Sequence, residues 1–143
     1  MTLEDLPGWA RELIGAAQVA RLGLLDERGL PRVLPVTFAE FEGALWSAID
    51  RKPKRSAEPA RVRRLRRRPE ATLLVDVYHD DWTRLAWVEL RGPVSVLEAS
   101  VAAAALEALA VKYEQYRAEP PPGPLLRLAP EAFSCWRFSE AGA

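Results

Sequence analysis

Short apolar runs separated by hairpin-length turns are the feature that most restricts this chain. Val19–Leu25 and Pro31–Phe38 are divided by the turn Asp26-Glu-Arg-Gly29, in which Gly29 suits a positive φ. Glu42-Gly43 then separates the second run from a third, Ala44–Ile49. Two further runs follow, Ala71–Tyr78 and Arg84–Leu97, with Asp80-Asp81 between them and a bend expected at Gly92-Pro93. Leu125–Ala129 and Phe133–Phe138 supply the material of a last strand. Turns this short favour antiparallel neighbours, because parallel pairing needs a crossover of a dozen or more residues. Long βαβ units and a Gly-rich phosphate loop are both missing, which argues against a dinucleotide-binding domain of the Rossmann type. The pattern predicts a mainly β (α+β) fold, a six-stranded antiparallel barrel, closed or partly split, with short flanking helices.

The helices are read from caps and spacing. Thr2 and Asp5 have capping-box spacing, Pro7 follows, and Trp9, Leu13 and Ile14 repeat near a helical period, so a helix is expected over about 6–16. Ser56-Ala-Glu-Pro59 reads as a helix start, Val62 and Leu65 as its apolar face, and Pro69 as its end. A third helix is expected over about 100–116, capped by Ser100. A stiff polyproline-type connector follows over 119–124. Pro31 and Pro35 lack ladder N–H groups and place part of the second strand at an edge or bulge.

The chain's 143 residues suit one domain spanning 1–143, and 49% hydrophobic with 28% charged residues is a globular composition. No apolar run approaches the roughly 20 residues of a membrane span. The N-terminus lacks a secretory pattern, so no membrane association and a cytoplasmic location are expected. One cysteine, Cys135, excludes an internal disulfide framework and a Cys-based zinc site; it is expected to be buried and inert. One histidine, His79, argues against His-based metal sites and Ser-His-Asp catalysis. No metal is expected, and any chemistry falls to a borrowed cofactor.

Net charge is zero, but its distribution is uneven. Ten of the 20 basic residues lie between Arg51 and Arg68, opposed there only by Glu58. Lys52 and Lys54, beyond the third strand, and Arg61 and Arg64, near the start of the following helix, could meet an anionic group. Arg66–Arg68 in the last turn complement the helix dipole and read as solvated. A solvated basic loop is the plain alternative for Arg51–Arg55. A nucleic-acid-binding segment is a further one, made less favourable because no aromatic residues interleave the run. Tyr78, Trp82 and Trp87 could wall a planar ring or fill a core or dimer interface. Lys112-Tyr-Glu-Gln-Tyr116 reads most simply as a helix end that packs at an interface.

The ordered set of Val19–Leu25, Gly29–Phe38, Lys52-Pro-Lys54, Arg64–Pro69 and Ala71–Tyr78 resembles the pyridoxamine 5'-phosphate oxidase-like FMN-binding split barrels. Asp80-Asp-Trp-Thr-Arg-Leu-Ala-Trp-Val-Glu-Leu-Arg-Gly92 and Lys112–Tyr116 are more particular and resemble the actinobacterial coenzyme F420-dependent branch. The resemblance covers about 17–137. It implies a homodimer with cofactor sites between subunits, a ring lying against Pro35, Val36 and Thr37, and a phosphate meeting Lys52 and Lys54. It also carries a basic position to Arg61. Many relatives have a polar residue, often Asn, where this chain has Arg64. Trp82 and Trp87 would wall the ring from the partner subunit. The implied activity is that of an F420-dependent oxidoreductase acting on a small organic molecule, with FMN as the alternative cofactor. The other readings are a non-enzymatic F420, FMN or haem carrier, haem being disfavoured by the lone His79, and a nucleic-acid-binding protein. Tyr78 and Lys112 are candidate proton donors.

Overall fold

The structure is a computed structural model and describes residues 1–49 and 58–139. Its helices are α1 (Gly8–Ala16), α2 (Ala60–Arg67), α3 (Ala103–Lys112) and α4 (Glu114–Ala118). Its strands are β1 (Ala20–Leu25), β2 (Pro31–Val36), β3 (Ala39–Phe41), β4 (Ala44–Ala48), β5 (Glu70–Val77), β6 (Ala86–Leu97), β7 (Leu125–Leu128) and β8 (Ala132–Arg137). The strands pair in the order β2-β1-β5-β6-β7-β4-β3, with β8 also on β6, and every pairing is antiparallel. The fold is thus mainly β, with the split-barrel arrangement that the turn pattern predicts.

Among the described residues eight strands replace the expected six, for two local reasons. The run Pro31–Phe38 leaves the ladder after Val36. Thr37 and Phe38 turn the chain, and Ala39–Phe41 forms a short strand on β4. Glu42 and Gly43 close that hairpin with φ of 50° and 77°, the positive values of a type I′ turn. The C-terminal material is also split. β6 pairs with β5 and β8 along Ala86–Arg91 and with β7 along Val94–Leu97. At Gly92 the backbone of the opposite chain comes so close that a Cβ would stand 2.0 Å from the Ala129 carbonyl oxygen. The Ala129 and Glu131 N–H groups donate to Pro93 and Arg91 across this crossing, and β7 and β8 separate there. Gly92-Pro93 is therefore the corner at which one long strand passes between the two halves of the barrel.

β2 ends the strand order, so Pro31 and Pro35 sit on the outermost ladder, as expected. The Asp26 turn is held by its own carboxylate, which accepts from the Arg28 and Leu30 N–H groups at 2.9 and 3.0 Å. The Leu30 bond is the main cause that holds this carboxyl below its ordinary pKa.

β4 is buried along its whole length. Leu45 faces the barrel interior with Leu22, Val36, Phe38, Leu65, Val75, Val88 and Leu90. Ala44, Trp46 and Ala48 face the other way, under Ala105, Leu109, Tyr113 and Tyr116. A strand covered on both faces reads as a continuous apolar run rather than an alternating one. Val62 and Leu65 anchor α2 to the barrel as predicted. The helix expected over 100–116 starts at Ala103 without a side-chain cap and breaks at Tyr113, whose backbone is extended (φ −116°, ψ 114°). Thr2 and Asp5 do bond, at 2.8 Å, but on a 3-10 turn (Leu3–Asp5) that precedes α1. Cys135 is half-buried rather than buried. Among the described residues no helix is long and apolar enough to cross a membrane.

Candidate functional site

The end of β2, the end of β4 and the first turn of α2 border an open cavity of about 240 Å³ lined by Val19, Pro35, Val36, Thr37, Ala48 and Arg61. Four of the residues singled out in the sequence, Pro35, Val36, Thr37 and Arg61, therefore meet in one place. Burial of the neighbouring Val62 fixes the rotation of α2 and brings Arg61 to this wall. The Arg61 Nε is buried and has no hydrogen-bond partner among the described residues. Buried polar atoms are nearly always paired, so this donor fits a site whose acceptor is a ligand.

Arg61 also borders a second cavity, about 330 Å³, with Arg32, Val33, Leu34, Pro59, Ala60 and Arg64. Arg64 continues to a third, about 220 Å³, lined by Asp26, Glu27, Arg63, Arg64, Arg67 and Arg68. Shared arginines thus connect the three cavities into a basic track along α2. Part of that charge is already satisfied. Arg64 pairs with Glu27 at 3.1 Å, and Arg68 donates to the Asp26 carbonyl. Arg66 pairs with Glu58 at 2.6 Å and holds that carboxyl below its ordinary pKa. Arg66 and Arg68 are therefore bonded, not merely solvated. Arg32, distant in sequence from the basic run, is a track residue that the sequence analysis missed.

The broken helix bonds to Thr37 and to the adjacent Phe38. Thr37 Oγ1 and Tyr116 Oη share a hydrogen bond at 2.5 Å, and the Ser47 hydroxyl donates to the Thr37 carbonyl at 2.6 Å. The Phe38 N–H donates to the Tyr113 hydroxyl at 2.9 Å. That hydroxyl in turn lies 2.9 Å from the carbonyl oxygens of Phe38 and Gln18, between which its single proton is shared. Burial pushes the Tyr113 phenol pKa up. The Lys112 ammonium sits 3.8 Å from the centroid of the Phe38 ring. Burial lowers its pKa from 10.5 to about 8, and it has no ion pair among the described residues. Lys112–Tyr116 is thus more than a helix end. Its tyrosines at i and i+3 were visible in the sequence, but their partners 75 and 79 residues away were not.

The sequence model of pyridoxamine 5'-phosphate oxidase matches residues 6–137. The chain belongs to this family. No curated protein sequence matches it. Among solved structures, an F420 reductase is 21% identical with a TM-score of 0.66, over 90% of this chain and 98% of that one. A FAD-binding protein from Mesorhizobium loti is 18% identical with a TM-score of 0.66, over 91% and 94%. HutZ, the haem storage protein of Vibrio cholerae, is 14% identical with a TM-score of 0.70, over 96% and 95%. At these identities the likeness is one of fold, and the three proteins that share it carry different descriptions: F420 reductase, FAD-binding and haem storage.

Within this family member the two remaining aromatic candidates that are described, Trp82 and Trp87, lie apart from the cavity. Lys52 and Lys54 lie outside the described residues. Trp82 is 66% exposed on the 3-10 turn Trp82–Arg84. Trp87 stands opposite Trp136 in the β6–β8 ladder. Trp87 and Trp136 line a largely apolar hollow of about 500 Å³ with Tyr78, Leu74 and Leu85, and Trp82 is not among its lining residues. Within one chain neither Trp82 nor Trp87 lines the Pro35–Thr37 cavity. His79 lies in the adjoining turn, where Nδ1 accepts from the Asp81 N–H at 2.9 Å and Nε2 lies 3.1 Å from Arg84. Among the described residues no cluster of His, Cys, Asp and Glu could hold a metal ion.

Proposed function

We propose that the protein is an oxidoreductase that works with coenzyme F420, and that its cofactor binds beside Pro35, Val36 and Thr37 with Arg61 at its anionic part. The observation that carries this reading is the buried Arg61 Nε, unpartnered among the described residues and set at the wall of the Pro35–Thr37 cavity. A planar ring with an anionic side chain matches that combination of flat apolar strand and unsatisfied guanidinium. Lys52 and Lys54 add phosphate-binding charge in this reading, and Arg64 continues the track.

The basic track favours F420 over FMN. A single phosphate needs one cluster of donors, whereas the anionic tail of F420 can follow the cavities joined by Arg61 and Arg64. FMN remains the second reading, since Arg61 and the ring wall serve both cofactors. A haem reading draws no support from the site. The one imidazole, His79, is committed at both nitrogens in a turn that does not line the cavity.

When bound, the deazaflavin supplies the hydride chemistry, exchanging a hydride with a small enone, imine or quinone-like acceptor. The chain binds, orients and excludes water. Pro35 and Val36 give a flat wall without ladder donors at Pro35. Thr37 offers a hydroxyl to a polar ring edge, and Arg61 fixes the anion. In this reading a second copy completes the site. Tyr78 (76% exposed), Trp82 and Trp136 present more exposed aromatic surface than a lone chain ordinarily leaves in water, and Tyr78 and Trp136 share a hollow with Trp87. Such a homodimer brings Trp82 and Trp87 of the partner subunit over the ring.

Titration of the purified protein with F420 and with FMN, followed by fluorescence quenching, tests the proposal. Tighter binding of F420, together with reduction of an enone or quinone by reduced F420, is expected. Binding of neither cofactor in the micromolar range overturns it. Tight binding without turnover across the acceptor panel converts it to a cofactor carrier.

A further inference from the structure

The broken helix converges on Thr37, which lines the candidate site, and on the adjacent core residue Phe38. The Thr37 carbonyl is held by the Ser47 hydroxyl, and Phe38 is held at both its N–H and its carbonyl by the Tyr113 hydroxyl. The backbone at the cavity wall is therefore fixed from two sides. What remains free in Thr37 is its side-chain torsion, which has three staggered choices. The 2.5 Å bond to Tyr116 selects one of them. A threonine hydroxyl has one proton and two acceptor positions, so engagement by Tyr116 leaves Oγ1 able to bond in a defined remaining direction. Thr37 is half-buried and lines the same cavity as Arg61.

We infer that Tyr116 is a positioning residue of this site: by engaging Thr37 Oγ1 it fixes the direction of the hydrogen bond that Thr37 makes to the polar edge of a planar ring bound beside Arg61. The inference rests on the proposed cofactor reading and adds to it a residue from a separate helix. Tyr113 has an extended backbone between α3 and α4, and from there the hydroxyls of Tyr113 and Tyr116 reach the adjacent residues Phe38 and Thr37. Tyr116 packs its ring against Tyr113, with centroids 5.4 Å apart, so Tyr116→Phe removes the hydroxyl while keeping the ring.

The test uses the full chain and compares wild type, Tyr116→Phe, Thr37→Val, Thr37→Ser and the double variant Tyr116→Phe/Thr37→Val. F420 and FMN affinity and the absorption band of the bound cofactor are measured for each. Tyr116→Phe and Thr37→Val are each expected to lose about five- to tenfold in affinity, the worth of one oriented hydrogen bond, and to shift the band. The double variant is expected to be no weaker than the weaker single one, because both changes break one device. Thr37→Ser, which keeps the hydroxyl, is expected to stay within about twofold of wild type. Wild-type affinity and an unshifted band in Tyr116→Phe overturn the inference, as do losses that simply add. If Tyr116→Phe fails to fold, Thr37→Val against Thr37→Ser decides, and equal affinity of the two overturns it. Wild-type protein that binds neither cofactor brings down the site reading and this inference together. Binding that is indifferent to Tyr116 brings down this inference alone.

Discussion

Tyr113 and Phe38 are joined twice through one phenol oxygen, which accepts from the Phe38 N–H and lies 2.9 Å from the Phe38 carbonyl. The same oxygen reaches the Gln18 carbonyl at the entrance to β1. One side chain therefore ties the helical cover, the start of the barrel and the strand end that walls the candidate site.

Replacing that hydroxyl exposes the dependence. Tyr113→Phe keeps the ring but leaves the Phe38 N–H without a buried partner, and an unsatisfied buried group costs about 1–3 kcal/mol. Denaturant unfolding is expected to show a lower midpoint with an unchanged slope, the product of shift and slope giving that loss. An unchanged midpoint would contradict the assignment.

Gly92→Ala is expected to be among the most damaging single-methyl additions in the chain. Its Cβ meets the Ala129 carbonyl at 2.0 Å, and the obstacle is backbone at a strand crossing rather than a movable side chain. Overpacking of this kind costs about 1–3 kcal/mol or more. Thermal unfolding compared with Gly15→Ala, where nothing lies within 4 Å, checks it.

Arg61→Met separates binding from stability. The Nε has no partner among the described residues, so its removal is expected to leave folding stability unchanged or slightly raised. Cofactor affinity is expected to fall by about 1.5–3 kcal/mol through a lost charge-assisted bond. Calorimetric titration and thermal melts on the same samples read both. Equal affinity of variant and wild type removes Arg61 from the site.

Lys112 makes stability depend on pH in a defined direction. Its folded pKa of about 8 lies below the ordinary 10.5, so between these values the unfolded chain holds more protons than the native one. The penalty on the charged amine is full below pH 8 and fades as pH rises toward 10.5. Lys112→Met is therefore expected to stabilise the protein most at neutral pH, with the difference from wild type shrinking above pH 8. A difference that stays flat from pH 7 to 10.5 in paired unfolding measurements counts against the burial of this amine.

Trp136→Glu is directed at the aromatic face. It places a charge beside Trp87 in the hollow that the proposed second copy covers. Light scattering is expected to show dimer converted to monomer, with cofactor affinity reduced at least about tenfold, since 1.4 kcal/mol of lost contact suffices. A variant that remains dimeric with intact binding places the dimer interface elsewhere.

What the chain's order determined alone is what consecutive residues can encode. Gly29 and Glu42-Gly43 mark turns because positive φ is a local demand, and both turns form there. Val62, Leu65 and Pro69 bound α2 because helical spacing and a missing N–H act within a few residues. The resemblance placed Pro35–Thr37 and Arg61 in one site, and the fold brings them to one cavity. Tertiary structure decided the rest. The third helix breaks at Tyr113 because one phenol oxygen satisfies backbone groups 75 and 95 residues away, a demand no local propensity carries. β7 and β8 separate because two backbones cross at Gly92. Tyr116 meets Thr37, and Arg32 joins the arginines of α2, only after the barrel has curled the β2 edge against two helices. Patterning selects elements, but long-range packing selects which side chains face one another, and the candidate site is built from the second kind of choice.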